Sequence, residues 1–132
     1  MVIACGGGGI PVVRRNGKLD GVEAVIDKDL ASALLAEQLK ADLLLIPTGV
    51  EQVAVNFGTP EQRWLDTMNV SEARELIAQG QFGAGSMLPK VEAILRFVSH
   101  TDPKGAAGEG LITSPAAIRR ALERRTGTWI TP

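Results

Sequence analysis

Two lysines stand where a helix would ordinarily repel them. Lys28 follows Asp27 in "IDKD" and Lys90 closes "GSMLPK", and each falls at the start of a segment with helical periodicity. The amino end of a helix carries partial positive charge, so a cation there costs a few tenths of a kcal/mol unless something offsets it. An anion held between the two ammonium groups and the free N–H groups of the helix ends removes the conflict. Asp27 would then act as a fixed counter-charge that orients both lysines. Phosphoryl transfer asks for such equipment, because its catalysis is mostly positioning plus stabilisation of charge on the moving group. A plainer reading stands beside this one, with Asp27 an ordinary N-cap and both lysines solvated at helix starts.

A second candidate element is "CGGGGIPVV", Cys5 to Val13. It fails the P-loop pattern, having no lysine or hydroxyl where Gly6 to Gly9 would require one. It also fails the dinucleotide fingerprint, because Ile-Pro-Val-Val follows where a helix should open. The run is a glycine turn between two β-leaning segments, suited either to close approach of a ligand or to close packing of a hairpin. Cys5 is expected to be a buried small hydrophobe. Thr48, Gly49 and Val50 follow the apolar "LLLIP" and fall at the carboxyl end of an expected strand, where a hydroxyl and a flexible residue can face a nucleotide or simply make a turn. The apolar residues from Val50 to Phe57 suit the flank of an adenine or a cover for the core.

The elements that must position these groups read as alternating strands and helices. A strand is expected at residues 1–5, then a hairpin about Asn16-Gly17, the strongest short hairpin signal. A helix is expected from about Asp27 to Lys40, with Leu30, Leu34, Leu35 and Leu39 as its apolar stripe. The run "ADLLLIP" has the form of a buried parallel strand. The turn-rich "TGVEQVAVNFGTPEQRWL" allows a small hairpin. Ser71 is the expected N-cap of a helix reaching Gln79 and stopped by Gly80. Val91, Ile94, Leu95 and Val98 form the stripe of a helix with Pro89 in its first turn. "TDPKGAAGEG" reads as an exposed loop and "LIT" as a strand. Ser114-Pro115 opens a helix ending near Arg125, and "GTWIT" is the last strand. Together these make one α/β domain: a three-layer sandwich with a mainly parallel central sheet covered by helices, plus a small β-hairpin. Ligands in such sheets sit beyond the carboxyl ends of the strands, where the glycine run, "DKD" and "GSMLPK" would meet.

Composition narrows the class. Fourteen basic and fifteen acidic residues among 132 leave a net charge of −1, so no strong field favours nucleic acid. Two Trp, three Phe and no Tyr leave little material for a base-stacking platform. The longest apolar run, Leu43 to Ile46, is too short to span a membrane. No secretory leader is read at the start. A single cysteine precludes an internal disulfide and fits a cytoplasmic location. With one His and one Cys there is little material for a metal site, and none is expected. His100 is expected at the surface near a helix end, and Arg119, Arg120, Arg124 and Arg125 as a solvated helix face.

The segments "GGGGIPV", "GVEAVIDKDLAS", "ADLLLIPTGVEQVAVNFGTPEQ" and "GQFGAGSMLPKVEAILRFV", in that order, resemble the C-terminal portion of carbamate kinase, and "GLITSPAAIRRALERRTGTWIT" resembles that family's C-terminus. The wider amino-acid kinase superfamily places the nucleotide on this portion and the phosphoryl acceptor on an N-terminal one, which the chain is expected to lack. The resemblance implies reversible phosphoryl transfer between ATP and carbamate, with ATP/ADP and carbamoyl phosphate as small-molecule partners and Mg2+ bridging the phosphates. It implies that Lys28 and Lys90 stabilise the transferring group and that Asp27 organises them. Thr48, Gly49, Val50, Met87, Leu88 and Pro89 would border the nucleotide, and Gly6, Gly7, Gly8 and Gly9 would lie against the phosphates or the carbamoyl group. "IPTGVEQV" departs from the family's "LTDVD" or "LTAVD" at Pro47, Gly49 and Glu51. Without the acceptor portion, the chain is expected to be inactive alone and to self-associate or pair with it. A non-catalytic nucleotide-binding module or split subunit, and a superfamily kinase with another acceptor, remain alternatives.

Overall fold

The computed structural model describes residues 5–100 and 108–132. The strand expected at residues 1–5 and most of the loop expected at residues 101–110 lie outside the described residues. The first described element is the hairpin of β1 (Val12–Arg15) and β2 (Lys18–Gly21), paired antiparallel. Its turn residues Asn16 and Gly17 have φ of 50° and 79°, the left-handed pair that a two-residue hairpin needs.

Helix α1 (Lys28–Leu39) is capped by Asp27 and closes on Lys40, whose φ of 53° ends it. It leads into β3 (Leu43–Pro47). A short antiparallel pair follows, β4 (Val53–Val55) with β5 (Arg63–Leu65), fulfilling the small hairpin expected there. After β6 (Thr67–Asn69) comes α2 (Val70–Ala78). Asn69, not Ser71, caps α2: its side chain accepts from the Glu72 N–H at 3.0 Å, and the Glu72 carboxylate accepts from the Asn69 N–H at 2.8 Å. This reciprocal capping box starts the helix earlier than a lone serine would.

Helix α3 (Met87–Val98) leads to β7 (Glu109–Thr113). A single 3-10 turn (Pro115–Ala117) and the short α4 (Ile118–Leu122) then give way to β8 (Thr128–Thr131). Helix α4 stops short of Arg125 because Arg124 adopts φ of 56°, with Arg124 N–H bonded to Ala121 O and Arg125 N–H to Arg120 O, a Schellman close. Arg119, Arg120, Arg124 and Arg125 are all exposed, as expected, and they also meet carboxylates at the surface. Arg120 meets Glu51, while Arg124 forks onto Glu109 and covers the Trp129 ring at 4.0 Å.

The main sheet runs β3-β7-β8-β6, parallel at β3/β7 and β6/β8 and antiparallel where β7 meets β8. One face, with Leu44, Ile46, Ile112 and Ile130, packs against α1, α2 and α3. The other, with Leu111 and Trp129, packs against Ala121 of α4. The result is the three-layer α/β arrangement the sequence implies. Val91, Ile94 and Val98 of α3 are almost wholly buried, each contributing about 1.5–3 kcal/mol of burial free energy.

Helix α1 reverses expectation. Its buried residues are Asp29, Ala33 and Ala36, spaced i, i+4, i+7, whereas Leu30 and Leu34 are 36% and 41% exposed and Leu39 70%. Against the bulky face of α3 a close-packed helix has room for alanines, so the leucines point outward.

Candidate active site

Because α1 leads into β3 and α3 into β7, and these strands are parallel, both helix amino ends lie at the strands' carboxyl edge. The two helices also lie side by side in register, with Lys90 bonded to Asp29 near one end and Arg96 to Glu37 near the other. This puts Lys28 and Lys90 together, as expected. What joins them is not as expected.

The carboxylate between the two ammonium groups belongs to Asp29. Lys28 Nζ lies 2.6 Å from its Oδ1 and Lys90 Nζ 2.7 Å from its Oδ2. Asp27 is instead spent on the helix end, accepting from the Asp29 N–H at 2.8 Å and the Leu30 N–H at 3.1 Å. Its predicted role as counter-charge to the lysines is corrected accordingly: an N-cap side chain folds back over the first turn, while a residue two positions on faces α3. The signal for Asp29 lies in its register with Ala33 and Ala36, and a leucine stripe read as the inner face hides it.

The cluster is graded in exposure. The side chains of Asp29 and Lys90 are 8% and 16% exposed, and that of Lys28 is 52%. Burial pushes the Asp29 carboxyl upward, but the hydrogen bonds and positive charges of Lys28 and Lys90 outweigh it and hold the group below the usual carboxylate range. Asp29 is thus a fixed anion, and with two cations the cluster carries a net single positive charge.

Around it are the parts an anion could use. The amino end of α3 has no side-chain cap; Ser86 precedes it with φ of −140° and ψ of −76°. In its first turn the Leu88 N–H is taken by the Gly83 carbonyl at 3.1 Å and Pro89 has none, so the Met87 N–H and the Lys28 ammonium are the donors left at this strand edge. A cavity of about 200 Å3 lined by Cys5, Lys28, Asp29, Ser32 and Leu44 to Pro47 opens beside the cluster. Cys5 is half-buried there with φ of 56°, not the buried core residue expected, because it begins a turn instead of continuing a strand inside the sheet. Gly6 and Gly7 are exposed. Gly8 has a definite reason: a Cβ there would lie 1.8 Å from the Ile26 carbonyl oxygen, so the loop rests directly on the approach to the Asp27 cap. Gly9 takes φ of 88°.

A larger cavity, about 360 Å3, lies at the same edge. Thr48, Gly49, Val50 and Met87, four of the residues expected to border a nucleotide, line it. Leu88 and Pro89 do not. Leu88 shares a helix face with Val91 and Leu95 and packs on the core, while Pro89 fills the first turn of α3. Phe57, from the stretch expected to flank a base, also lines it, and the further lining includes Trp64, Gln81 and Phe82. Phe57 and Trp64 stand edge to face, with ring centroids 6.3 Å apart. Trp64 was not legible as a site residue, since only the β4–β5 pairing carries it to this cavity. His100 is exposed just beyond α3, as expected. Among the described residues no helix is long and apolar enough to cross a membrane.

Residues 2–105 match the model of the amino acid kinase family. The chain is 49% identical over 130 residues to carbamate kinase-like protein YqeA of Escherichia coli (strain K12), covering 98% of this chain and 41% of that protein. It is 51% identical over 130 residues to carbamate kinase 3 of Staphylococcus aureus (strain USA300), with the same coverage. Among solved structures it resembles carbamate kinase from Giardia lamblia bound to AMP-PNP, with a TM-score of 0.84, 41% identity, and coverage of 94% of this chain and 38% of that one. The chain thus spans about 40% of the length of the curated relatives it matches.

Proposed function

The chain belongs to the amino acid kinase family, and from that premise we propose that it is the ATP/ADP-binding part of a carbamate kinase, serving reversible phosphoryl transfer between ATP and carbamate. The observation that carries the proposal is the Lys28–Asp29–Lys90 cluster, set at two helix amino ends on the strand edge that also carries the larger apolar cavity. In this reading the nucleotide base enters the cavity walled by Val50, Phe57, Trp64 and Met87. Its phosphates extend toward the lysines and the Met87 N–H at the start of α3. Lys90, anchored by Asp29 and nearly buried, keeps a fixed position. Lys28 is half exposed and can lean from Asp29 onto an incoming phosphoryl oxygen. Charge spread over the equatorial oxygens of the moving group then meets two ammonium groups whose placement is already paid for in the fold.

The AMP-PNP bound to the Giardia relative supports a nucleotide as substrate. Magnesium belongs to the reading only as a companion of the phosphates. Among the described residues no group of three or more His, Cys, Asp or Glu side chains is assembled to hold a metal, and both Asp29 oxygens already accept from lysines. The exposed leucines of α1 belong to the same reading. An apolar face of this kind takes a cover, whether a second copy or the further chain that the longer relatives possess.

Titration of the 132-residue chain with ADP, followed by tryptophan fluorescence and calorimetry, tests the proposal. Binding is expected, weakened at least tenfold in Lys90→Met, with no ATP formed from carbamoyl phosphate and ADP by this chain alone. Absence of ADP binding, or affinity untouched by both Lys28→Met and Lys90→Met, refutes it.

A further inference from the structure

The loop after β3 supplies one wall of the larger cavity through Thr48, Gly49, Val50 and Gln52. A wall made of loop, with a glycine inside it, is only as well placed as the bonds that hold it. Here the bonds come from far along the chain. Thr126 Oγ1 donates to Glu51 Oε1 at 2.5 Å, and Arg120 Nη2 lies 3.0 Å from the same oxygen and 3.1 Å from Oε2. These partners lie 75 and 69 positions away, on the turn that leads into β8 and on α4.

The neighbours of Glu51 are tied to the same region. Gln52 Nε2 donates to Asp66 Oδ1 at 2.7 Å and to the Gly127 carbonyl at 3.4 Å. The Val53 N–H donates to Thr128 Oγ1 at 2.8 Å. Gln52 and Val53 thus fix the far end of the loop, and Glu51 carries the tie nearest to Val50. The Thr126 hydrogen bond, together with the charge and hydrogen bond of Arg120, holds the Glu51 carboxyl below its usual range against the opposing effect of burial, so the acceptor is ionised at neutral pH.

We propose that Glu51 is a positioning residue for the nucleotide: by latching the Thr48–Gln52 loop to Arg120 and Thr126 it holds the cavity wall in its binding position. The proposal rests on the nucleotide reading given above. It assigns Glu51 no contact with substrate and no part in the chemistry. Its effect is on affinity, because a loop already ordered loses less freedom when the ligand arrives.

The test compares wild type, Glu51→Ala, Glu51→Gln and Thr126→Val by ADP titration and by amide hydrogen exchange without ligand. Glu51→Ala is expected to weaken ADP binding about three- to tenfold and to speed exchange at residues 48–52, with a thermal midpoint within about 3 °C of wild type. Glu51→Gln keeps an acceptor for the Thr126 hydroxyl and should recover part of the loss. Glu51→Ala combined with Thr126→Val should be no worse than Glu51→Ala alone. If Glu51→Ala binds ADP as tightly as wild type, or exchange at 48–52 does not change, the latch is overturned while the nucleotide reading stands. If wild type itself binds no ADP, the nucleotide reading fails, and this proposal with it.

Discussion

Replacing Asp29 by asparagine probes the heart of the candidate site with almost no change of shape. In the wild type the carboxylate accepts from Lys28 and Lys90 at 2.6 and 2.7 Å, and the Asp29 and Lys90 side chains are 8% and 16% exposed. The substitution leaves a nearly buried ammonium without its counter-ion and faces it with a second cation. Breaking a fully buried pair costs about 3–5 kcal/mol. Lys28 remains half in water, and the asparagine carbonyl can still accept one bond, so about 2–3 kcal/mol is expected here. For a chain of this size that lowers the thermal midpoint by roughly 6–12 °C.

The pH dependence gives the diagnosis. The folded carboxyl lies below its ordinary value, so its stabilisation is fully present above the unfolded pKa of about 3.9 and fades as pH falls through the folded one. The gap between wild type and Asp29→Asn, measured by urea unfolding, should therefore be level from about pH 5 to 7 and shrink steadily below pH 4. Asp27→Asn supplies the contrast, because asparagine caps a helix as well as aspartate does; it should change stability by less than about 0.5 kcal/mol. Asp29→Asn as stable as wild type at pH 7, or a gap that persists undiminished at pH 3, would refute the reasoning. Equal losses in both variants would return the organising role to Asp27.

The remaining expectations concern the surroundings. Gly8→Ala drives a methyl group into the Ile26 carbonyl and must shift the glycine loop off the Asp27 cap, so circular dichroism should show a lower midpoint and calorimetry weaker ADP binding. Ile94→Ala, a wholly buried position, should cost about 2–5 kcal/mol in chemical unfolding. Leu30→Gln with Leu34→Gln should stay within about 1 kcal/mol of wild type and reduce self-association in sedimentation velocity, since both side chains face outward. A double variant that unfolds would place the leucines inside after all.

Local chemistry made much of this protein legible in its sequence. Asn16-Gly17 dictates its hairpin because its left-handed backbone suits those residues and few others. The stripe of Val91, Ile94, Leu95 and Val98 announces the buried face of α3, and Asp27 and Lys40 bracket α1 closely. The two lysines could be placed at a common edge because alternating helices and strands force their amino ends there. Tertiary structure decided the rest. Which face of α1 turns inward depends on the neighbour it meets: the bulk of α3 selects Ala33 and Ala36 and leaves the leucines outside. That one choice carries Asp29 inward with the alanines and makes it, not Asp27, the carboxylate between the lysines. Trp64 reaches the larger cavity only through β4–β5 pairing, and Glu51 finds Arg120 and Thr126 only because β8 returns beside β7. Spacing along a chain governs contacts within a turn or two of helix, whereas partners some seventy residues apart are selected by packing.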